Sequence, residues 1–307
     1  MDDGGWTRDA KGEDAPAVCA LLNAVDEIEI GAPETTLKEV EEDLATARAA
    51  WVAFGAGRAV AYAAVRDAGP DGAVEIDHYV LPDHQEAGLR LLDLVEARSR
   101  ELAAGAGARE AVVHLYLNVA PTLDLALLTV RGWRTVRRHH VLTRPVSPDT
   151  DPVPDLPAGV RLRPCADEAD RRTAHRLHQE TFAHHFDFRP QGYEEWLGRV
   201  APNSGMDWSL VWIAAVDGIG DAAVLITRDD REGMGWIRTL GVLDRARGRG
   251  LGSHLLRHAF AVYARRGRDT VGLGVDTENV TGALRLYESH GMGLHYAVDT
   301  WELRLGV

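Results

Sequence analysis

The sequence predicts a mixed α/β protein of two similar domains, and three observations carry that reading. At 307 residues the chain is about twice an ordinary domain length, so each half can bury its own core. Short apolar runs of strand character alternate with longer runs of helical period along the whole chain. The same order of elements occurs on either side of a proline-dense segment, as an internal duplication would give. That segment, Pro145 to Pro157, holds five of the 13 prolines, which excludes helix or central strand. It reads as a stiff linker, residues 145–157, between a domain over 1–144 and a domain over 158–307.

The first half opens with a strand at Trp6–Arg8 and helices at Asp14–Asn23 and Thr36–Ala47. Strands at Trp51–Phe54, Ala59–Arg66 and Val74–Val80 follow, then a helix at Gly88–Leu102, a strand at Ala111–Leu117, a helix at Thr122–Val130 and strands near Trp133–Thr143. The second half repeats the order with a strand at Val160–Pro164, a helix at Asp167–Thr181 and another at Tyr193–Val200. Asp217-Gly218 and the run Arg228 to Gly233 punctuate strands at Ser209–Val216, Ala222–Thr227 and Trp236–Val242. Leu251, Leu255, Leu256, Ala259, Phe260 and Tyr263 recur at helical spacing across Gly250–Arg266. A strand at Thr270–Val275, a helix at Thr281–Ser289 and a hairpin region from Met292 to Leu305 are expected to complete the second domain. Val80 aligns with Val242, Gln85 with Arg247 and Gly88 with Gly250, all at an offset of 162.

Composition excludes several classes of function. The net charge of −13 is placed mostly in residues 1–150, with 25 acidic against 15 basic residues; residues 151–307 hold 22 against 19. A phosphate-tracking protein needs a basic surface, so nucleic acid is not an expected partner. No run approaches the length of a membrane span, and the first residues lack a signal-peptide pattern, so a cytoplasmic location without a membrane partner is expected. Cys19 and Cys165 lie far apart without neighbouring ligands, so no metal site or disulfide is expected.

The stretch with the most chemical content is Leu240-Gly-Val242-Leu-Asp-Arg-Ala-Arg247-Gly248-Arg249-Gly250-Leu251-Gly252-Ser253, a strand end, a glycine-rich loop and a helix start. Alternating glycines let the backbone approach a ligand, and the first free N–H groups of the helix favour an anion; together they suit a pyrophosphate. Arg247 and Arg249 add positive charge. A Walker A loop is excluded because no lysine is near, and Ser253 breaks the dinucleotide-binding Gly-x-Gly-x-x-Gly pattern.

The run Arg247-Gly-Arg-Gly250-Leu-Gly252 resembles the Arg/Gln-x-x-Gly-x-Gly/Ala motif of the GCN5-related N-acetyltransferase (GNAT) superfamily. Downstream, Asn279-Val-Thr-Gly-Ala283-Leu-Arg-Leu-Tyr287-Glu-Ser-His-Gly291-Met292 resembles its second motif, and the helix and strand between them agree in order. As a whole the chain resembles tandem-GNAT, mycothiol synthase-like proteins. The resemblance implies two tandem GNAT-fold domains, each a mostly antiparallel twisted sheet flanked by helices. It implies acetyl-CoA in a split between the fourth and fifth strands, here Trp236–Val242 and Thr270–Val275. Leu240, Gly241 and Val242 would then hold the pantetheine and acetyl carbonyl, and Arg247, Gly248, Arg249, Gly250, Leu251, Gly252 and Ser253 the pyrophosphate. Asn279, Ala283 and Arg285 would line the outer edge of the cofactor. Tyr287 matches the general acid that protonates the departing thiolate.

The amine nucleophile also needs a base, and here the sequence departs from the mycothiol synthase-like pattern. Their acidic residue on the fourth strand has no counterpart in Gly235-Trp-Ile-Arg238-Thr239-Leu240. Asp276 and Glu278 are the expected base candidates. Glu180, His184, His185 and Asp187 follow the first helix, where the family builds its acceptor site, and are the expected substrate-binding residues; the same segment reads equally as a surface loop anchored by its phenylalanines. In the N-terminal copy the loop reads Gln85-Glu86-Ala-Gly88-Leu-Arg90 and Leu128 falls opposite Tyr287, so this copy is expected neither to bind acetyl-CoA well nor to catalyse. The sequence thus points to an N-acetyltransferase acting on a small-molecule amine in a ternary complex. The alternatives are a silent CoA-binding or regulatory module, and an N-terminal interaction domain.

Overall fold

The computed structural model describes residues 6–69, 71–186, 188–201, 206–229, 233–279 and 281–307. They form two compact units, one within residues 6–139 with 296–307 and one within residues 140–295.

The first unit carries β1 (Trp6–Asp9), α1 (Ala15–Glu29), α2 (Leu37–Thr46), β2 (Ala49–Gly55), β3 (Arg58–Ala68), β4 (Ala73–Val80), α3 (Gln85–Gly105), β5 (Glu110–Asn118) and α4 (Leu125–Val130). A capping box starts α2, with Thr36 Oγ1 accepting from the Glu39 N–H and the Glu39 carboxylate accepting from the Thr36 N–H. Strands β1 to β4 pair antiparallel in sequence order, and β4 pairs parallel with β5.

β6 (Arg134–Pro145) runs from the first unit into the second. The second unit continues with β7 (Val160–Pro164), α5 (Glu168–Phe182), α6 (Tyr193–Val200), β8 (Val211–Val216), β9 (Gly220–Arg228), β10 (Met234–Val242), α7 (Leu251–Arg265), β11 (Thr270–Asp276) and α8 (Ala283–Ser289). Here β7, β8, β9 and β10 pair antiparallel in order and β10 pairs parallel with β11. The sheet is therefore mixed in both units. β8 is buried along its whole length because helices cover both faces. Trp212, Ala214 and Val216 join the core with Leu255, Phe260 and Tyr263 of α7, while Val211 and Ile213 pack with Leu177 of α5 and Trp196 of α6.

The final strand, β12 (Gly293–Gly306), differs from the sequence reading, which gives it to the second domain. Its residues Val298–Gly306 pair antiparallel with β5, from Val298↔Asn118 to Gly306↔Glu110, so the chain returns to complete the first unit. Alternation reveals a strand but not its neighbour, because pairing over such a sequence separation leaves no local mark. Nor is the proline-dense segment a free spacer. The Val146 N–H donates to the Asp269 carbonyl at 2.9 Å, and buried Asp151 pairs with Arg144 at 2.9 Å.

β12 is fastened by charge as well as by its ladder. Buried Glu302 meets Arg134 at 2.8 Å, Arg304 at 2.9 Å and His114 at 3.3 Å, and Arg138 holds Asp299 through two bonds. Burial alone would push the Glu302 carboxyl up, but the bonds from Arg134, Arg304 and His114 outweigh it and hold the group down at about 2. A depressed folded value contributes stability above the unfolded value of 4.5 that is lost as pH falls towards 2. Glu302→Gln is therefore expected to cost on the order of 2 kcal/mol at neutral pH. It should also flatten the acid limb of the stability profile between those values, as read by urea unfolding at a series of pH values.

Candidate active site

The site begins with a ladder that stops. β10 and β11 pair only from Met234↔Thr270 to Ile237↔Leu273, whereas β10 remains paired with β9 as far as Val242↔Ala223. An extra residue, Arg238, bulges β10 between Ile237 and Thr239, and a bulge bends and twists a strand. Beyond it β10 and β11 share no further ladder. β11 no longer pairs with Leu240–Val242, and the Val242 carbonyl accepts from Arg247 Nε at 3.4 Å. Gly241 permits close approach on the sheet face, since a Cβ there would lie 2.3 Å from Thr181 Oγ1 of α5.

At the end of β10 the chain makes a short turn at Asp244–Ala246 and enters the glycine loop. Gly248 and Gly250 adopt φ of +73° and +75°, with open space where a Cβ would be, so backbone conformation rather than crowding requires glycine. A non-glycine residue there would cost about 1–2 kcal/mol. Gly250 heads α7 without a side-chain cap, leaving the first N–H groups of a 15-residue helix for an anion. Arg247 and Arg249 are exposed beside them, Arg247 pairing with Asp244 at 2.9 Å. Gly252 serves packing instead: a Cβ would lie 3.1 Å from Leu286 Cδ2, so its absence lets α7 approach α8.

β11 delivers the other wall. Asp276 Oδ1 accepts from the Glu278 N–H at 2.9 Å and its carbonyl accepts from the Asn279 N–H at 3.2 Å, a tight turn at the strand end. The Asn279 side-chain oxygen accepts from the Thr281 N–H and hydroxyl at 2.8 and 2.6 Å, so it shapes the entry to α8. Along α8, Ala283 is half-buried, Arg285 exposed and Tyr287 buried. Burial pushes the Tyr287 hydroxyl up to about 12, so it holds its proton throughout the neutral range.

Of the residues expected to line the acceptor side, His185 is half-buried and packs at 4.2 Å on the Phe182 ring. Burial lowers the pKa of its imidazole, with Asp276 raising it and Arg247 lowering it. His184 is exposed. Glu180 is bound to Arg245 at 2.8 Å and Arg176 at 3.1 Å on the surface. Asp187 lies outside the described residues. In the sequence His178 reads only as part of a helical face. Its ring lies 5.1 Å from Phe182, 6.2 Å from Phe188 and 6.4 Å from Trp196, and burial, with Arg238, His175 and His185, lowers it to about 4. A neutral histidine at helical spacing looks like any semi-apolar core residue, so only packing reveals it.

The corresponding region of the first unit is built otherwise. β4 and β5 also part after four pairs, Ala73↔Val112 to Ile76↔Leu115. Here α3 already begins at Gln85, the counterpart of Arg247, and winds straight through Gly88, so no open loop precedes it. Gln85 donates to the Thr122 carbonyl and accepts from the Asp124 N–H, while Arg90 pairs with Glu86 on the surface. Glu29, ending α1, accepts from the Thr122 N–H and hydroxyl and from Asn118 Nδ2, which fastens the end of α1 to β5 and the segment after it. Leu128, opposite Tyr287, is fully buried.

A profile described as "Acetyltransferase (GNAT) family" matches residues 171–292. The mycothiol acetyltransferase of Tsukamurella paurometabola is 31% identical over 246 residues, 74% of this chain and 77% of that protein. The chain belongs to the GNAT acetyltransferase family. A second GNAT relative, the mycothiol acetyltransferase of Thermobispora bispora, is 30% identical over 74% of this chain and 83% of its own. The GCN5-related N-acetyltransferase of Sphaerobacter thermophilus superposes with a TM-score of 0.81 at 27% identity, covering 100% of this chain and 97% of that one. A tandem GNAT protein from the clavulanic acid biosynthesis pathway shares the fold, with a TM-score of 0.73 at 15% identity over 99% of both chains. As a GNAT member the protein is an acetyltransferase, and among the described residues no helix is long and apolar enough to cross a membrane.

The Glu29 network is testable without a ligand. Glu29→Ala leaves the Thr122 and Asn118 donors without their acceptor and should destabilise the protein by on the order of 2 kcal/mol. Calorimetry should show this as a transition lowered by a few degrees.

Proposed function

We propose that the second unit transfers the acetyl group of acetyl-CoA to the amine of a small molecule by direct attack in a ternary complex. The observation that carries this reading is the convergence, in one unit, of an opened parallel strand pair, a positive-φ glycine loop at a free helix N-terminus, and a buried tyrosine that keeps its proton. Leu240, Gly241 and Val242 would hold the pantetheine and the acetyl carbonyl, residues 247–253 the pyrophosphate, and Asn279, Ala283 and Arg285 the outer edge. The amine nitrogen attacks the thioester carbonyl carbon, the carbon–sulfur bond breaks, and the thiolate takes the Tyr287 proton. The amine proton leaves through Asp276 or Glu278, directly or by way of water. The names of the mycothiol acetyltransferase relatives support a small-molecule acceptor. On this reading the protein works in the cytoplasm with neither nucleic acid nor metal, and His185 lines the acceptor side.

The N-terminal unit would contribute neither an acetyl-CoA site nor catalysis, because helix replaces its loop and leucine its acid. A second reading, a silent CoA-binding module, is favoured by one observation: the Asp276 oxygen is engaged in its own turn.

Two measurements test the proposal. Tyr287→Phe should lower kcat by about 10²–10⁴-fold while acetyl-CoA affinity stays within a few fold; with a silent module, neither wild type nor variant would release CoA with any amine. Calorimetric titration should find one acetyl-CoA site per chain, abolished by Gly250→Glu, which adds a carboxylate and a left-handed side chain to the loop. Two equivalent sites would contradict the assignment of the N-terminal unit.

A further inference from the structure

The helix that carries Tyr287 ends at a histidine that bridges to the glycine-loop helix. His290 follows α8, and its Nε2 lies 2.6 Å from Oγ of Ser253, the third residue of α7. Its Nδ1 lies 2.8 Å from the Leu286 carbonyl and 3.1 Å from Ser289 Oγ, whose own hydroxyl donates to that carbonyl at 2.8 Å. A carbonyl only accepts, so Nδ1 carries a hydrogen whether the ring is neutral or charged.

The state of Nε2 then decides where the Ser253 hydroxyl points. With His290 neutral, Nε2 is a bare lone pair and the Ser253 O–H donates to it. With His290 protonated, Nε2–H donates to Ser253 Oγ, and the hydroxyl hydrogen is free to turn to another acceptor, for which a bound pyrophosphate is the candidate. The imidazolium adds positive charge beside the free N–H groups. Around His290, Arg144 of β6 donates to its carbonyl at 3.2 Å and is itself paired with Asp151; Arg285 and Glu288 lie exposed on α8.

We propose that His290 is a positioning residue for the pyrophosphate of CoA, acting through Ser253 as a proton-linked clamp. This role rests on the acetyl-CoA reading of the second unit. By linkage, a site that holds its anion more tightly when His290 is charged must take up protons on binding, and its affinity must rise as pH falls. A residue that merely staples α7 to α8 would give neither effect.

The test is calorimetric titration of the full chain with CoA between pH 6 and 8, in buffers of different ionisation enthalpy, comparing wild type with His290→Gln. Protons taken up by the 3′-phosphate of CoA, or by His185, are common to both proteins and cancel. The wild type is expected to take up more protons on binding than the variant, with an affinity about 3- to 10-fold higher at pH 6 than at pH 8 that the variant lacks. Ser253→Ala, which keeps the imidazole but removes the hydroxyl, should weaken CoA binding several-fold at pH 6 and little at pH 8. Equal uptake in wild type and His290→Gln, or a Ser253→Ala variant that binds like wild type at both pH values, overturns the proposal. Wild type that binds no CoA at any pH overturns the acetyl-CoA reading, and this proposal with it.

Discussion

The second unit is organised by the end of one hydrogen-bonded ladder. After Ile237↔Leu273, β10 and β11 go separate ways, while β10, past the bulge at Arg238, stays paired with β9 as far as Val242↔Ala223. Backbone groups away from water must find partners, so an opened parallel pair is a standing demand for a ligand or ordered water. Each diverging strand then delivers one part of the site. β10 feeds the turn, the glycine loop and α7; β11 feeds the Asp276 turn and, through it, the helix that carries Tyr287.

The first unit shows that the opened pair is not sufficient. β4 and β5 part after the same number of pairs, yet β4 leads into helix, and helix consumes the N–H groups that a loop would have left free. Gln85 and Glu29 then commit their side chains to Thr122, Asn118 and the start of α4. A shared fold with a shared opening can therefore carry a loop for an anion in one copy and a stitched, inward-satisfied structure in the other. The difference comes down to a few residues: glycines able to hold positive φ at 248 and 250, against Glu86 and the helical Gly88 in the companion.

Charge composition was a poor guide to chemistry, for a reason visible in individual pairs. Glu180, a conspicuous carboxylate on the acceptor side in the sequence, is neutralised by Arg176 and Arg245 at the surface. Glu302 and Asp299 are occupied in holding β12. Elsewhere in the second unit, Asp276 closes the turn at the end of β11, and His178 packs among Phe182, Phe188 and Trp196.

The sequence by itself determined the repeated plan, most elements to within a few residues, the glycine loop and the position of Tyr287. Those features are local: helical spacing, strand alternation, a positive φ that only glycine holds cheaply, and two short motifs at fixed separation. Tertiary structure alone decided that β12 belongs beside β5, that the proline-dense segment is anchored through Val146 and Asp151, and that Ser253 and His290, 37 residues apart, share a hydrogen bond. It also decided which carboxylates were already taken. Strand neighbours, ion-pair partners and proton positions are set by contacts between distant parts of the chain, and periodicity carries no information about which distant parts will meet.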